Sequence, residues 1–481
     1  MKKLLITCFV AFTAIYSCTE PEPKEEVKAE EPINFYYTVE SSGVSLPKGL
    51  QSFALGINSA GNWVVVGGRT NGLHNFSPPS FPLNKANSII YIINPTVGAI
   101  DSFDVVNLLP QIFNINANRI MKQFVATNIQ HTQVGNYLYL AGGYGFDITN
   151  KLKETYLTHN IVSRVDLDKL TSAISSKNAD SVVASVATDT CSQLAVTGGE
   201  LFKLTDGNFY LAVGHNFNGE YGNAGAKGVP QPTQVYTKKV SVFSITETAN
   251  SISVNINNSI VIPSTPQVDS TSIFRRRDLV VAPAVVMPAN QIGLGLYGGV
   301  FQWTSTISNA GAPFRTPIYI STQTYPDKEY YFSDSSYVQP SNLYSAANVL
   351  MYSPQQKTML TSIFGGITND NTQSEDGNPS WTAKILTISR QLTSNTYTSI
   401  YNPDTLPTYM GAEAIFVPSS QVSPSYYFNQ NYNIFNYDSI PANENTFLGY
   451  IIGGIKSDSV QSSNTNPTVA NNLIYKVSIK K

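Results

Sequence analysis

Two glutamates and a histidine are the residues here whose types and spacing could do chemistry. Six segments begin with small or polar residues and run into apolar ones: LQSFALG (50–56), IQHTQVG (129–135), GGELFKL (198–204), VAPAVVM (281–287), AANVLMY (346–352) and GAEAIFV (411–417). Aligned, their third positions read Ser52, His131, Glu200, Pro283, Asn348 and Glu413. If the segments are equivalent strands around one axis, Glu200, Glu413 and His131 converge on it, with the two glutamates facing each other. Carboxyls and an imidazole so placed offer a proton donor and an acceptor on opposite sides of a substrate, as general acid–base chemistry requires. Polar groups that simply line a wet channel are the plainer alternative.

Other constellations are weaker. The four histidines (74, 131, 159 and 215) come without ligand spacing, so neither a metal nor another cofactor is expected. NDNTQSEDGN (369–378) is acidic but lacks the spacing of a calcium loop. FRRRDL (274–279) is a basic run that reads as a solvated turn, with an acidic ligand as the other possibility. Net charge is −2, which leaves no basic surplus for nucleic acid.

The elements that would position these residues repeat. An apolar run ending in Gly-Gly occurs as NWVVVGGR (62–69), NYLYLAGGY (136–144), IGLGLYGGV (292–300), MLTSIFGGI (359–367) and FLGYIIGGI (447–455). A sixth copy, NFYLAVGHN (208–216), has Gly214-His215 at that place. Turn residues precede most copies, and a further strand such as SIIYIINP, NIVSRVDL or NLIYKVSI follows each. Charged residues are only 13%, in keeping with short strands and polar turns. The glycines have a packing reason, since only Gly lets crowded backbones approach closely.

This order resembles the kelch repeat, whose units are nearer 50 residues and build one four-stranded propeller blade each. The resemblance covers residues 33–481 and implies an all-β, six-bladed kelch-like β-propeller with four-stranded blades. The last copy ends at its third strand, so INFYYTVES (33–41) is expected to supply the fourth. That pairing of the N-terminal strand with the C-terminal blade closes the ring and removes an open edge. Kelch-type propellers of the bacterial periplasm include sialic-acid mutarotases, which implies a sugar mutarotase or epimerase reading for Glu200, Glu413 and His131.

Strand alternation puts the Gly-Gly loops on one face, with His74, Tyr144, His215, Tyr221 and Trp303 among Asn and Gly. Such aromatics suit stacking on sugars or a protein hot spot; packing beneath long loops is the alternative. The sixth repeat carries an insertion, 418–446, with Tyr426, Tyr427, Phe428 and Tyr432 and almost no charge. It reads as a protein-docking loop on the opposite face or as a flap over its own blade.

The first 17 residues, with Lys2, Lys3 and a short apolar run, read as a signal peptide. Ile15-Tyr16-Ser17-Cys18 resembles a bacterial lipobox, which implies a lipid anchor at Cys18. Residues 18–32 hold six Glu and two Lys after that cysteine and suit a disordered tether. The acidic tether resembles that of surface-displayed lipoproteins of Bacteroidota, implying the outer membrane, extracellular face. Cys191 would be the single thiol left, so no intrachain disulfide is expected. The leading expectation is thus a non-catalytic binding or scaffold propeller on an outer-membrane lipoprotein, serving an outer-membrane protein complex or a glycan. The mutarotase-type enzyme is the alternative.

Overall fold

A computed structural model describes residues 33–75, 78–112, 114–148, 156–221, 231–265, 271–288, 290–300, 302–304, 307–368, 380–462 and 467–481. The signal segment, Cys18, the acidic tether and the 369–378 loop lie outside these residues. The fold is all-β: each sequence repeat forms a four-stranded antiparallel sheet, the fifth extended by two more strands, and a further four-stranded sheet joins the second and third repeats.

Sheet one runs Ala54–Ile57, Trp63–Val66, Ile89–Asn94, Gly98–Asp104. Sheet two runs Gln130–Val134, Tyr137–Ala141, Ile161–Asp166, Val186–Thr190. Sheet three runs Glu200–Lys203, Phe209–Ala212, Val240–Glu247, Ile252–Ile256. Sheet four runs Val280–Val286, Gln291–Tyr297, Ile318–Ile320, Tyr331–Ser333. Sheet five runs Asn348–Ser353, Thr358–Thr368, Ser380–Gln391, Thr396–Tyr401. Sheet six has Ala414–Pro418, Asn445–Gly453 and Leu473–Lys480, and Tyr36–Ser45 from the N-terminal end pairs antiparallel with the last of these.

The second strands are mostly apolar because both of their faces are largely buried. Side chains alternate along a strand, so consecutive residues feed different interfaces. Leu138 and Leu140 pack with Val64 and Val66 of sheet one, while Tyr139 and Ala141 pack with Leu201 and Phe209 of sheet three. Likewise Trp63 and Val65 turn to sheet six, against Tyr450 and Ile452. Tyr37 packs edge-on against Phe364 of sheet five, ring centroids 5.0 Å apart. Full burial of each such side chain contributes roughly 1.5–3 kcal/mol.

The Gly-Gly pairs are where neighbouring sheets touch backbone to backbone. Gly142 has φ 64°, and a Cβ there would lie 2.1 Å from Val196 O. Gly143 N–H donates to that same carbonyl at 3.0 Å. The same bond joins Gly68 to Ala126 O, Gly366 to Met410 O and Gly454 to Leu50 O. In the third repeat the pair is Val213-Gly214, one residue earlier than the sequence alignment placed it. Val213 N–H donates to Lys239 O as Gly142 N–H does to Ile161 O, and Gly214 N–H donates to Arg276 O. Val213 has φ 51°, a strained position for a β-branched residue.

Candidate functional site

The chain enters each first strand through one residue in the left-handed region. These are Ser52 (φ 56°), Asn128 (50°), Gly198 (67°), Asp278 (51°), Ser345 (34°) and Glu413 (57°). They are bonded to one another: Asn128 N–H donates to Ser52 O, Asp278 N–H to Gly198 O and Glu413 N–H to Ser345 O, at 2.7–3.0 Å. Of the five that are not glycine, Ser52, Ser345 and Glu413 are types that seldom adopt this conformation, a local backbone strain of the kind that recurs at functional sites. Gly198 makes room for its neighbour, since a Cβ there would lie 2.6 Å from Asp278 Oδ1.

This set replaces the alignment of third positions. Only Ser52 and Glu413 belong to it; His131 stands three residues beyond Asn128, and Glu200 two beyond Gly198. Pro283 and Asn348 lie five and three residues past Asp278 and Ser345. Glu200 and Glu413 therefore occupy different levels of a shared cavity. In sheets one to four the first ladder residue follows the left-handed residue by two places, so matching residue types rather than the turn displaced the alignment.

The cavity, about 320 Å³, is lined by the first strands of all six sheets. It runs from the left-handed residues to the strand ends at Ile57, Gln133, Lys203 and Pro418. Glu200, His131 and Glu413 all line it, so the three candidate acid–base residues share one space. Asn128 Nδ2 donates to Glu413 Oε2 at 3.2 Å. Burial pushes the Glu200 carboxyl from 4.5 up to about 8. Glu413 also reaches about 8, through burial first and then the nearby Asp278 and Glu200, against hydrogen bonds from Ser52 and Asn128. Burial takes the His131 imidazole down to about 4, against its hydrogen bond to Ile129 O. At neutral pH the cavity thus presents two protonated carboxyls and an uncharged imidazole.

No family model and no curated protein matches this sequence. Among solved structures, that of YjhT is similar at 10% identity and a TM-score of 0.40, over 91% of this chain and 99% of YjhT.

Across the left-handed residues lies a second space of about 60 Å³, on the Gly-Gly side. His74, Tyr144, His215 and Tyr221 all line it, so the structure brings these four together. Tyr144 and His215 are buried, each 4% exposed, and both pack against the Phe217 ring. His74 stacks on Phe81 at 4.9 Å and meets Tyr221 edge-on at 4.6 Å; Phe81 meets Tyr144 at 5.2 Å. Tyr144 OH donates to Gly219 O at 2.7 Å. Burial, with Arg277 next, holds the His215 imidazole well below its ordinary range. The Trp303 side chain lies outside the described residues.

FRRRDL is no solvated turn. Arg276 and Arg277 are 1% and 8% exposed. Arg276 donates to Gly298 O and Thr316 O and lies over the Phe314 ring, a structural use of the guanidinium. Arg277 pairs with Asp278 at 3.0 Å and faces the small space. Asp278 and the nearby Tyr236 and Tyr344 hold its charge against the burial that opposes it. The charge run read as exposed because its answering groups, Tyr236 and Tyr344, are distant in sequence. Asn128 and Asp278 were missed as site residues. Asn and Asp are the non-glycine residues most at ease in the left-handed region, and that signal precedes both strands.

The 418–446 insertion is ordered and covers sheet five, not its own sheet. Ile434–Asn436 pairs parallel with Asn348–Ser353, and Tyr427–Asn429 pairs with it in turn. Tyr426 and Tyr427 are half-buried, Phe428 is 38% exposed, and Tyr432 lines the large cavity.

Proposed function

We propose that the six sheets are the blades of one propeller, closed into a ring by Tyr36–Ser45, and that the cavity lined by the six first strands is its working site. The ligand is small, neutral and rich in hydroxyls, a glycan unit in kind. The observation that carries this reading is the pair of carboxyls, Glu200 and Glu413, in one cavity and at about 8, hence hydrogen-bond donors at neutral pH. A volume of about 320 Å³ is at the small end of ligand sites. The lipobox-like Cys18 supports placing this propeller on the outer membrane as a lipoprotein.

Calorimetry of the mature chain against methyl hexopyranosides tests the reading. Binding that survives in Glu200→Gln with Glu413→Gln, neutral isosteres of the protonated acids, and is lost in Glu200→Ala is the expected result. Absence of binding to any pyranoside would sink it. For the anchor, Cys18→Ser should abolish incorporation of labelled palmitate; unchanged labelling would refute lipidation there.

A second reading, sugar-ring interconversion, is favoured by the neutral His131 in the same cavity, an acceptor beside two acidic donors. It predicts that the double Gln variant still binds sugar but no longer speeds exchange between anomers, read by polarimetry. An unchanged exchange rate removes the enzyme reading.

A further inference from the structure

The insertion of the sixth repeat reaches across the cavity rather than out to solvent. Its far end is pinned: Asp438 accepts from Ser353 Oγ at 2.7 Å and from Gln355 N–H at 2.9 Å. Lys481 Nζ donates to Tyr437 O at 2.9 Å and lies 4.3 Å from the Tyr437 ring centroid. Ile434 and Phe435 are fully buried, and Tyr427 stacks on Phe435 at 4.7 Å. Between these anchors the short turn Gln430–Tyr432 ends in Asn433 at φ 54°, which brings Asn431, Tyr432 and Asn433 into the cavity wall. Asp206, in the turn of sheet three, is near enough to act on the Tyr432 hydroxyl. The segment therefore leaves sheet six, adds two short strands to the first-strand edge of sheet five and brings Tyr432 within electrostatic range of sheet three before returning to sheet six.

The cavity wall thus offers both hydrogen-bonding groups and flat rings. Glu413, Asn128 and Glu200 line it near the left-handed residues, and the rings of Phe202, Phe416 and Tyr432 stand nearer the strand ends, among Gln133, Lys203, Asn431 and Asn433. A pyranose has the same division, with hydroxyls at its edge and a flat face of C–H groups.

We propose that Tyr432 is the platform on which the ligand's ring stacks, and that this selects cyclic over open-chain polyols. This rests on the cavity reading above. The ring is supplied ready-placed by the pinned insertion, so little ordering is needed on binding.

The test is calorimetry of the mature chain with methyl hexopyranosides and with D-glucitol, an open-chain polyol, on wild type, Tyr432→Phe, Tyr432→Leu and Glu200→Ala. Tyr432→Leu keeps an apolar side chain in place and removes the flat ring, and thermal melts confirm that each variant is folded. The expected result is pyranoside binding that exceeds D-glucitol binding, falls about tenfold in Tyr432→Leu and stays within about threefold in Tyr432→Phe. If Tyr432→Leu binds as wild type does while Glu200→Ala loses binding, the platform is refuted and the cavity reading stands. If wild type binds no pyranoside, both fall.

Discussion

On the two sides of the left-handed residues, buried polar groups are treated in opposite ways. On the Gly-Gly side Arg277 and Asp278 answer each other, rings of His74, Phe81, Tyr144 and Tyr221 fill the volume, and about 60 Å³ is left. On the other side Glu200, and Glu413 at the boundary of both spaces, have no salt-bridge partner among the described residues, and they hold their protons beside about 320 Å³ of open space. A charge answered by a neighbour belongs to the architecture. A charge suppressed beside open space is what a ligand can use.

The packed side should be the more fragile. Arg277→Ala strands the Asp278 carboxylate in a buried setting and should cost about 3–5 kcal/mol in chemical denaturation. A loss below about 1 kcal/mol would show that the pair is not compensating a buried charge. Ile434→Ala, in the strand that fastens the insertion to sheet five, should cost about 2–4 kcal/mol for a buried aliphatic. A loss that small as to match a surface site would free the insertion from the fold.

The open side should instead show itself through pH. In the unfolded chain both carboxyls ionise near 4.5, whereas the folded chain keeps their protons to about 8. Unfolding therefore releases protons between these values, and stability falls as pH rises from 4.5 to 8, then levels. The size of the fall reports the separation, at about 1.4 kcal/mol per pH unit and carboxyl. The double Gln variant should flatten that slope; a slope unchanged by it would assign the effect elsewhere. The smallest effect is Val213→Gly, where relief of a β-branched left-handed residue offsets lost burial, for a net change within about 1 kcal/mol.

The repeated apolar strands and glycines were legible because burial on both faces and close backbone approach restrict residue type strongly. Register was legible less well. In the third repeat Val213 takes the conformation glycine holds elsewhere, so the visible Gly214-His215 misled by one residue. The convergence of Glu200, Glu413 and His131 could be read from the repeats, but their levels could not, since those depend on the left-handed turns. Arg277 and Tyr432 were legible as residue types only. The partners that bury the first, and the neighbouring sheet that carries the second over the cavity, are set by tertiary packing.

The most direct measurement is a carbon-13 NMR titration of the mature chain with labelled glutamate carboxyls, the Glu200 and Glu413 signals assigned by their Gln variants. Midpoints near 8 are expected, moving higher when a methyl hexopyranoside binds the protonated forms. Midpoints near 4.5 would mean that both groups are ordinary carboxylates lining a wet channel, and the claim that they offer protons to a ligand would be wrong.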